Sequence, residues 1–346
     1  MPIACSYYVT TVCNAKCGFC DIWEGPAHKK PKLVSMEHAE KIIRGLKKLG
    51  VRYIDFTGGE PLLQRNLPEL LAIAKKIGLK TGLVSNGYLY PARAHEFIDL
   101  VDSASFSLDS SDRDRHNASR KLQCYDRVIE SIELAKRNKQ FVNINFSVGN
   151  ENMDEIPGMM ALAKELRTVV HVMPMFGYFG NPALDAELTR QLKYLHKQPY
   201  MSVNLAAIKF QAEGGNDPEK PKCKAIKANV AVSQDGKYLL PCYHAAQERM
   251  DIDVEDPVGQ WKSPAMQEHI KKSGRYDFCK GCTIWCYMTP SFMYTLDSYF
   301  LLQAYSYAKD WAKLSSNRMR DAIKYGREVT REELIAENQP VSVLGE

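Results

Sequence analysis

Between residues 4 and about 195, short β-branched or aromatic runs alternate with amphipathic stretches, and nothing else in the chain restricts its fold as tightly. The strand-like runs are ACSYYVTT (4–11), VRYIDFT (51–57), KTGLVS (80–85), SASFSL (103–108), FVNINFSV (141–148) and VVHVMPMF (169–176). The first intervening helix, MEHAEKIIRGLKKLG, has Ser35 as its cap and Ile42, Ile43 and Leu46 on one face. LPELLAIAKKIG, ARAHEFIDL, a longer helix from about 122 to 137, and EIPGMMALAKEL follow. Six strands alternating with helices predict an α/β fold of parallel units, a partial (β/α)6 TIM-like barrel. In such barrels chemistry gathers at the C-terminal strand ends. The polar segments CNAKCGFC, GGEP, SNG and SLDSSD follow the first four strands in turn.

The pattern breaks at EGGNDPEKPK (213–222), rich in Gly, Pro and charge. Two strand-like runs around Gln234-Asp235-Gly236 then predict a hairpin. From Ser291 to about Arg327 the chain reads as helical, with Phe292, Tyr294, Tyr299, Phe300, Tyr305, Tyr307 and Trp311. The expected division is a barrel over 1–213, a small α+β domain over 214–290 and a C-terminal helical segment over 291–346. No internal repeat or low-complexity segment interrupts it. The formal net charge of +5 is spread over 346 residues, which gives no reason to expect a nucleic-acid partner. No run of about eighteen apolar residues predicts a membrane span, and the N-terminal stretch lacks the basic and apolar regions of a signal peptide. The expected compartment is the cytoplasm, where clustered cysteines act as metal or catalytic thiols rather than disulfides.

Ten cysteines are present, and their placement is uneven. Cys13, Cys17 and Cys20 have the spacing C-x-x-x-C-x-x-C on a loop leaving a strand. Three thiolates can hold three irons of a 4Fe–4S cluster and leave the fourth open to a substrate or cofactor. Zinc is the structural alternative, but it favours four N or S ligands. No fourth such residue lies in the loop, His28 being eight residues beyond Cys20.

Cys13-x-x-x-Cys17-x-Phe19-Cys20 resembles the signature of the radical S-adenosylmethionine (radical SAM) superfamily. Gly58-Gly59-Glu60-Pro61 is similar to its glycine-rich motif, and Ser85-Asn86-Gly87 and Ser107-Leu108-Asp109 to its recurring strand-end motifs. His116 and Arg120 resemble its His-x-x-x-Arg element, with Lys121 where a glycine often follows. The resemblance covers roughly residues 4–195. It implies an open 4Fe–4S cluster on Cys13, Cys17 and Cys20, with S-adenosylmethionine bound by Phe19, Gly58, Gly59, Glu60, Pro61, Ser85, Asn86, Ser107 and Asp109. Phe19 would stack on adenine. Gly58 and Gly59 would let the backbone approach the methionine moiety, and Glu60 would face its ammonium. Turn or capping roles are the plainer reading of Ser85, Asn86 and Asp109, and a surface helix start that of His116 and Arg120.

Cys223, Cys242, Cys279 and Cys282 resemble the ligand set of a SPASM/twitch extension, a twitch-like module with one auxiliary 4Fe–4S cluster. Cys286 would replace one ligand or stand free; zinc is again the alternative. Cys5 and Cys124 read as core fillers. A closed auxiliary cluster implies electron transfer, hence an oxidoreductase that oxidises an unactivated C–H bond, served by a flavodoxin or ferredoxin. The aromatic-rich segment reads either as a packing helix that closes the barrel mouth or as a surface for a flat, apolar small molecule. The specific case named is oxidation of a tetrapyrrole (bacteriochlorophyllide) ring methyl, with His171 and His244 as candidate axial ligands. A peptide-modifying or alcohol-oxidising dehydrogenase is the competing enzyme reading. Peptide modification is less expected because no extension precedes the first strand. A zinc-stabilised binding module is the non-enzyme reading.

Overall fold

The computed structural model describes residues 1–24, 33–177, 182–326 and 330–337; His28 and Arg327 lie outside them. One ten-stranded sheet organises the chain. Its strands are β1 (Ala4–Thr10), β2 (Tyr53–Gly58), β3 (Lys80–Ser85), β4 (Ser103–Ser107), β5 (Phe141–Val148), β6 (Val169–Pro174), β7 (Met201–Ser202), β8 (Asn229–Val232), β9 (Lys237–Leu240) and β10 (Glu248–Asp251). They lie in the order β10-β9-β8-β1-β2-β3-β4-β5-β6-β7. All neighbours from β8 to β7 run parallel, while β9 and β10 are antiparallel additions. The sheet is thus a partial barrel.

Helices α1 (Met36–Lys48), α2 (Leu67–Lys76), α3 (Tyr90–Phe97), α4 (Arg113–Arg120), α5 (Tyr125–Arg137) and α6 (Ile156–Leu166) fill the first five crossovers. Ser35 caps α1, its side chain accepting from the His38 N–H, as the sequence predicts. Then come α7 (Ala186–Gln191), α8 (Leu205–Ala212), α9 (Ala225–Ala228), α10 (Pro257–Lys262), α11 (Pro264–Lys272), α12 (Trp285–Phe292), α13 (Ser298–Tyr325) and α14 (Arg331–Glu337). No helix among the described residues is long and apolar enough to cross a membrane.

Strand alternation separates two environments. Cys5, Tyr7, Val9, Ile54, Phe56, Ala104, Phe106, Ile144, Phe146, Val170 and Val172 are buried beneath the helices, each large one contributing roughly 2 kcal/mol. The alternate positions, aligned by the register, are polar: Ser6, Asp55, Ser103, Ser105, Asn143, Asn145 and His171. They bond across the inner face. Tyr53 Oη lies 3.2 Å from Ser103 Oγ, Ser105 Oγ donates to Asn143 Oδ1 at 2.9 Å, and Asn229 Nδ2 donates to Ser6 Oγ at 2.9 Å. The inner face is therefore a polar lumen, not the packed aliphatic core common in closed barrels.

The helix expected over 122–137 forms as α5, and the sequence pattern misses α4 before it, which ends at Lys121 in a left-handed backbone (φ 48°). The helix expected from 291 to 327 is broken. The chain turns over 293–297, and Asp297 caps α13 by accepting from the Tyr299 N–H. The predicted hairpin forms, as β8 and β9, but it extends the barrel sheet by pairing with β1. The aromatic segment is not one flat surface: Phe292 stacks on Tyr299 at 5.2 Å, and both meet Phe210. That part is packing; Tyr305, Tyr307 and Trp311 are exposed.

Candidate functional site

The loop leaving β1 carries Cys13, Cys17 and Cys20, none in a disulfide. The Cys20 N–H donates to the Cys17 carbonyl at 3.2 Å, and the Ala15 N–H to Cys13 Sγ at 3.4 Å. Burial pushes the Cys13 thiol up to about 12, with neighbouring negative charge (Glu60, Cys17, Cys20) adding to it; burial likewise lifts Cys20 to about 11 and raises Cys17. Three enclosed thiols whose ionisation is opposed in this way would be stabilised as thiolates by a cationic metal group among them.

The β2 exit is locked against this loop. The Gly59 N–H donates to the Thr10 carbonyl at 2.9 Å and the Glu60 N–H to the Val12 carbonyl at 2.8 Å. A Cβ at Gly58 or Gly59 would fall inside contact of the Thr10 or Val12 carbonyl oxygen, and Gly58 has φ 142°. The close approach that these glycines permit includes one to the cysteine loop. Glu60 joins the same lock. It is fully buried, Oε1 accepting from Leu62 N–H (3.0 Å) and Ser85 Oγ (2.8 Å), and Oε2 from Asn86 N–H (2.8 Å). Burial lifts its carboxyl to about 7. Its carboxylate joins the β2 and β3 exits, with Pro61 opening the turn Pro61–Leu63. Asn86 Nδ2 in turn donates to Asn14 Oδ1 at 2.7 Å, inside the cysteine loop.

From β4 and α4 comes a third group. Arg120 Nε donates to Asp109 Oδ2 at 2.6 Å, Nη1 lies 3.8 Å from Cys17 Sγ, and the guanidinium sits 5.1 Å from the Phe19 ring centre. The Arg120 carbonyl accepts from Lys16 N–H at 3.1 Å. His116 Nδ1 accepts from the Asp109 N–H at 3.2 Å while Nε2 lies 3.3 Å from Cys124 Sγ. Burial lowers His116 to about 4, so at neutral pH the ring is neutral and can accept. Phe19 and Asp109 border a cavity of about 490 Å³ that also reaches Ser110, Gly149, Asn152 and Met175. Ser107 is on the same strand end, at the register position opposite Asn145. The sequence reading stopped at the fourth strand end; the run GNEN after the fifth carries the same polar, glycine-bearing signal.

The second cysteine group also converges. Cys223, Cys242, Cys279 and Cys282 line one cavity of about 380 Å³, and each raises the thiol of Cys223 or is raised by burial itself. Asn216, which sequence reasoning missed, staples three of their segments. Its Nδ2 donates to the Gly274 (2.8 Å) and Cys279 (3.2 Å) carbonyls, and its Oδ1 accepts from the Lys222 and Cys223 N–H groups. Its own N–H donates to the Cys282 carbonyl, and its carbonyl accepts from Gly281. Cys286, on α12, lies 3.8 Å from His244 Nε2, within charge range of Cys242 and Cys282. Burial lowers His244 to about 4. His171 faces the lumen with its Nε2 unpartnered. Cys5 and Cys124 are fully buried. Among the described residues, no three His, Cys, Asp or Glu side chains are arranged to hold a single metal ion.

The description "Radical SAM superfamily" matches residues 7–163. A probable GTP 3′,8-cyclase of Thermoplasma volcanium is 31% identical over 253 residues, covering 66% of this chain and 77% of that protein. The GTP 3′,8-cyclase of Chlorobaculum tepidum is 30% identical over 172 residues, 48% of this chain and 52% of that protein. In fold, the chain is similar to Streptococcus suis SuiB bound to the precursor peptide SuiA, with TM-score 0.63 and 17% identity over 78% of this chain and 67% of that one. Native anSMEcpe with bound AdoMet and Cp18Cys peptide gives TM-score 0.61 and 17% identity over 94% of this chain and 100% of that one. With the cysteine loop, the strand-end motifs and the partial barrel all in place, the chain belongs to the radical SAM superfamily of enzymes, which act with a 4Fe–4S cluster and S-adenosylmethionine.

Proposed function

We propose that this enzyme oxidises an unactivated C–H bond, with the second cysteine site as the electron outlet. The observation that carries the reading is the convergence of four cysteines on one cavity, enough thiolates to ligate all four irons of a 4Fe–4S cluster. S-adenosylmethionine at the first site would supply a 5′-deoxyadenosyl radical, and a second 4Fe–4S cluster would accept the electron the substrate radical gives up. The chain does the rest. Cys13, Cys17 and Cys20 would hold three irons; Phe19 and Asp109 border the cavity suited to the adenosyl group; Gly58 to Pro61, Ser85, Asn86 and Ser107, at the neighbouring strand ends, would serve the rest of the cofactor. Glu60 acts as the brace that fixes these loops. In this reading 1–213 is the catalytic barrel, 214–290 the auxiliary-cluster unit and 291–346 its helical cover.

A substrate held in the lumen meets Ser103, Ser105, Asn143, Asn145 and Asp55, which favours one with hydrogen-bonding groups beside its reacting carbon. A tetrapyrrole ring methyl or an alcohol carbon both fall within C–H oxidation. No relative reported above is named for pigment chemistry, so the reaction class is the reading carried forward. The 31% identity to a probable GTP 3′,8-cyclase favours a second reading, radical cyclisation of a nucleotide.

The deciding assay uses anaerobically reconstituted protein with reduced flavodoxin or ferredoxin, S-adenosylmethionine and, separately, GTP, bacteriochlorophyllide and short peptides. Oxidation predicts 5′-deoxyadenosine with a product two electrons more oxidised, or its hydrated form. The Cys279→Ser/Cys282→Ser variant should keep basal cofactor cleavage and lose the oxidised product. Full turnover by that variant would sink the reading, and a cyclised GTP product would establish the second one. Iron and sulfide analysis separates both from a zinc-bearing binding module, which would hold zinc and no iron.

A further inference from the structure

Helix α13 presents to solvent an apolar face that the described residues leave uncovered. Leu301 is 68% exposed, Tyr305 53%, Met319 65% and Ile323 80%. The opposite face is spent on the body of the protein. Gln303, Ser306, Asn317 and Asp321 are buried, Asn204 Nδ2 donates to Gln303 Oε1 at 2.9 Å, and the Leu205 N–H donates to Ser306 Oγ at 3.1 Å. These polar contacts fix the rotation of the helix and so fix the exposed stripe. An exposed helix face that carries large apolar residues at both ends and small ones between them is unusual on a monomer and marks an interface.

The stripe is symmetric in sequence about Ala312. Ala308 and Ser316 lie four residues to either side, Tyr305 and Met319 seven, and Leu301 and Ile323 eleven. Offsets of four, seven and eleven residues all stay on one helical face. The order along the face is therefore large, large, small, small, small, large, large, and reads the same in both directions. A heterologous partner would impose no such symmetry; a two-fold interface requires self-complementarity.

We propose that α13 pairs antiparallel with α13 of a second copy of this chain, about a two-fold axis at Ala312. Leu301 of each copy then meets Ile323 of the other, and Tyr305 meets Met319, a sulfur–aromatic contact. The small residues at the centre let the helices approach closely. Trp311, 68% exposed, stands beside the axis residue, so the two copies bring their tryptophans to the same flank. Lys309 and Arg320, the cations bordering the stripe, come opposite Ser315 and Ala304, and no like charges meet. Five large side chains from each copy bury on the order of 1,300 Å² in total, within the range of stable interfaces. The pairing is independent of the reaction assigned to the barrel.

The test uses the full-length reconstituted protein in sedimentation velocity at low-micromolar concentration. The expected species is a dimer, converted to a monomer by Ala312→Arg with an unchanged thermal midpoint. If that variant fails to fold, Tyr305→Glu reads the same interface away from the crossing. Symmetry is read by mild oxidation against the wild-type background. Ala312→Cys should cross-link to itself, whereas Leu301→Cys should cross-link only when Ile323→Cys is also present. A monomer at all concentrations, a dimer indifferent to both charged variants, or an uncrosslinked Ala312→Cys protein overturns the proposal. So does a monomer that floats with phospholipid vesicles through this face.

Discussion

Single atoms decide how tightly the first cysteine loop is held. At Gly59 there is no room for a methyl group, because the Val12 backbone carbonyl occupies its place. Since backbone rather than a side-chain tip is in the way, Gly59→Ala must displace the segment that leads into Cys13. The expected cost is about 3 kcal/mol, read by urea unfolding, together with reduced iron uptake at the first site. A second atomic feature is the carboxylate of Asp55, on the inner face of β2. Among the described residues its one hydrogen-bonding neighbour is the Tyr53 hydroxyl at 3.4 Å, and burial lifts its carboxyl from an ordinary 3.8 to about 7. A raised folded-state value means that the stability linked to its proton is fully present below about pH 4 and is lost as pH rises through about 7. Asp55→Asn should therefore be more stable than the wild type at pH 8, by about 4 kcal/mol, with the gap closing towards pH 4. The buried histidines, which shift stability in the opposite sense, are common to both proteins and cancel in the difference. Urea melts at several pH values check it; a gap constant with pH would contradict the assignment.

Helix α4 shows how one element can be essential to a site and nearly silent in sequence. RDRHNASR carries no apolar stripe, so hydrophobic periodicity cannot find it. It is held by polar groups: His116 by the Asp109 N–H, Asn117 by the Cys124 and Tyr125 N–H groups, and Arg120 by Asp109. The strands, by contrast, were legible almost to the residue, because β-branched runs between turn signals have one physical solution in a chain of this length. KTGLVS and FVNINFSV coincide with β3 and β5. The cysteine spacings were legible too, since ligand number is a property of residue type. What the sequence could not disclose is that Gly58, Gly59 and Glu60 hold the loops together, for their partners lie 25 to 50 residues away. Arg120→Ala tests the importance of α4. It leaves the buried carboxylate of Asp109 without its cation, at a cost of about 3 kcal/mol, and frees Phe19 and the Cys17 loop. Denaturant unfolding should show the loss, and S-adenosylmethionine binding should weaken at least tenfold. Arg120→Lys should restore part of the stability but little of the binding, because an ammonium cannot span Asp109, Phe19 and Cys17 together.

At the scale of the molecule, one sheet ties both cysteine sites to a common frame. β1 delivers Cys13 to Cys20 at its exit and pairs with β8; β9, joined to β8, leads to Cys242. The remaining cysteines of the second site, Cys223, Cys279 and Cys282, belong to no strand and depend on Asn216. That asparagine sits in EGGNDPEKPK, a stretch whose composition reads as linker, and it is 2% exposed because its amide and backbone bond segments up to 66 residues away. Asn216→Ala removes the side-chain bonds and leaves the Gly274 and Cys279 carbonyls and the Lys222 and Cys223 N–H groups unpaired, at about 1–3 kcal/mol for each group left buried. The two sites should respond separately. Reconstituted wild type should hold about eight irons per chain, and Asn216→Ala about four, with three thiolates of the first site unaffected. Basal 5′-deoxyadenosine formation should survive while the oxidised product is lost. Iron analysis with EPR of the reduced protein would check this, since one of two cluster signals must disappear. Loss of both signals would mean that Asn216 holds the barrel and the second site as one cooperative unit, and that the separation argued from the sheet is wrong.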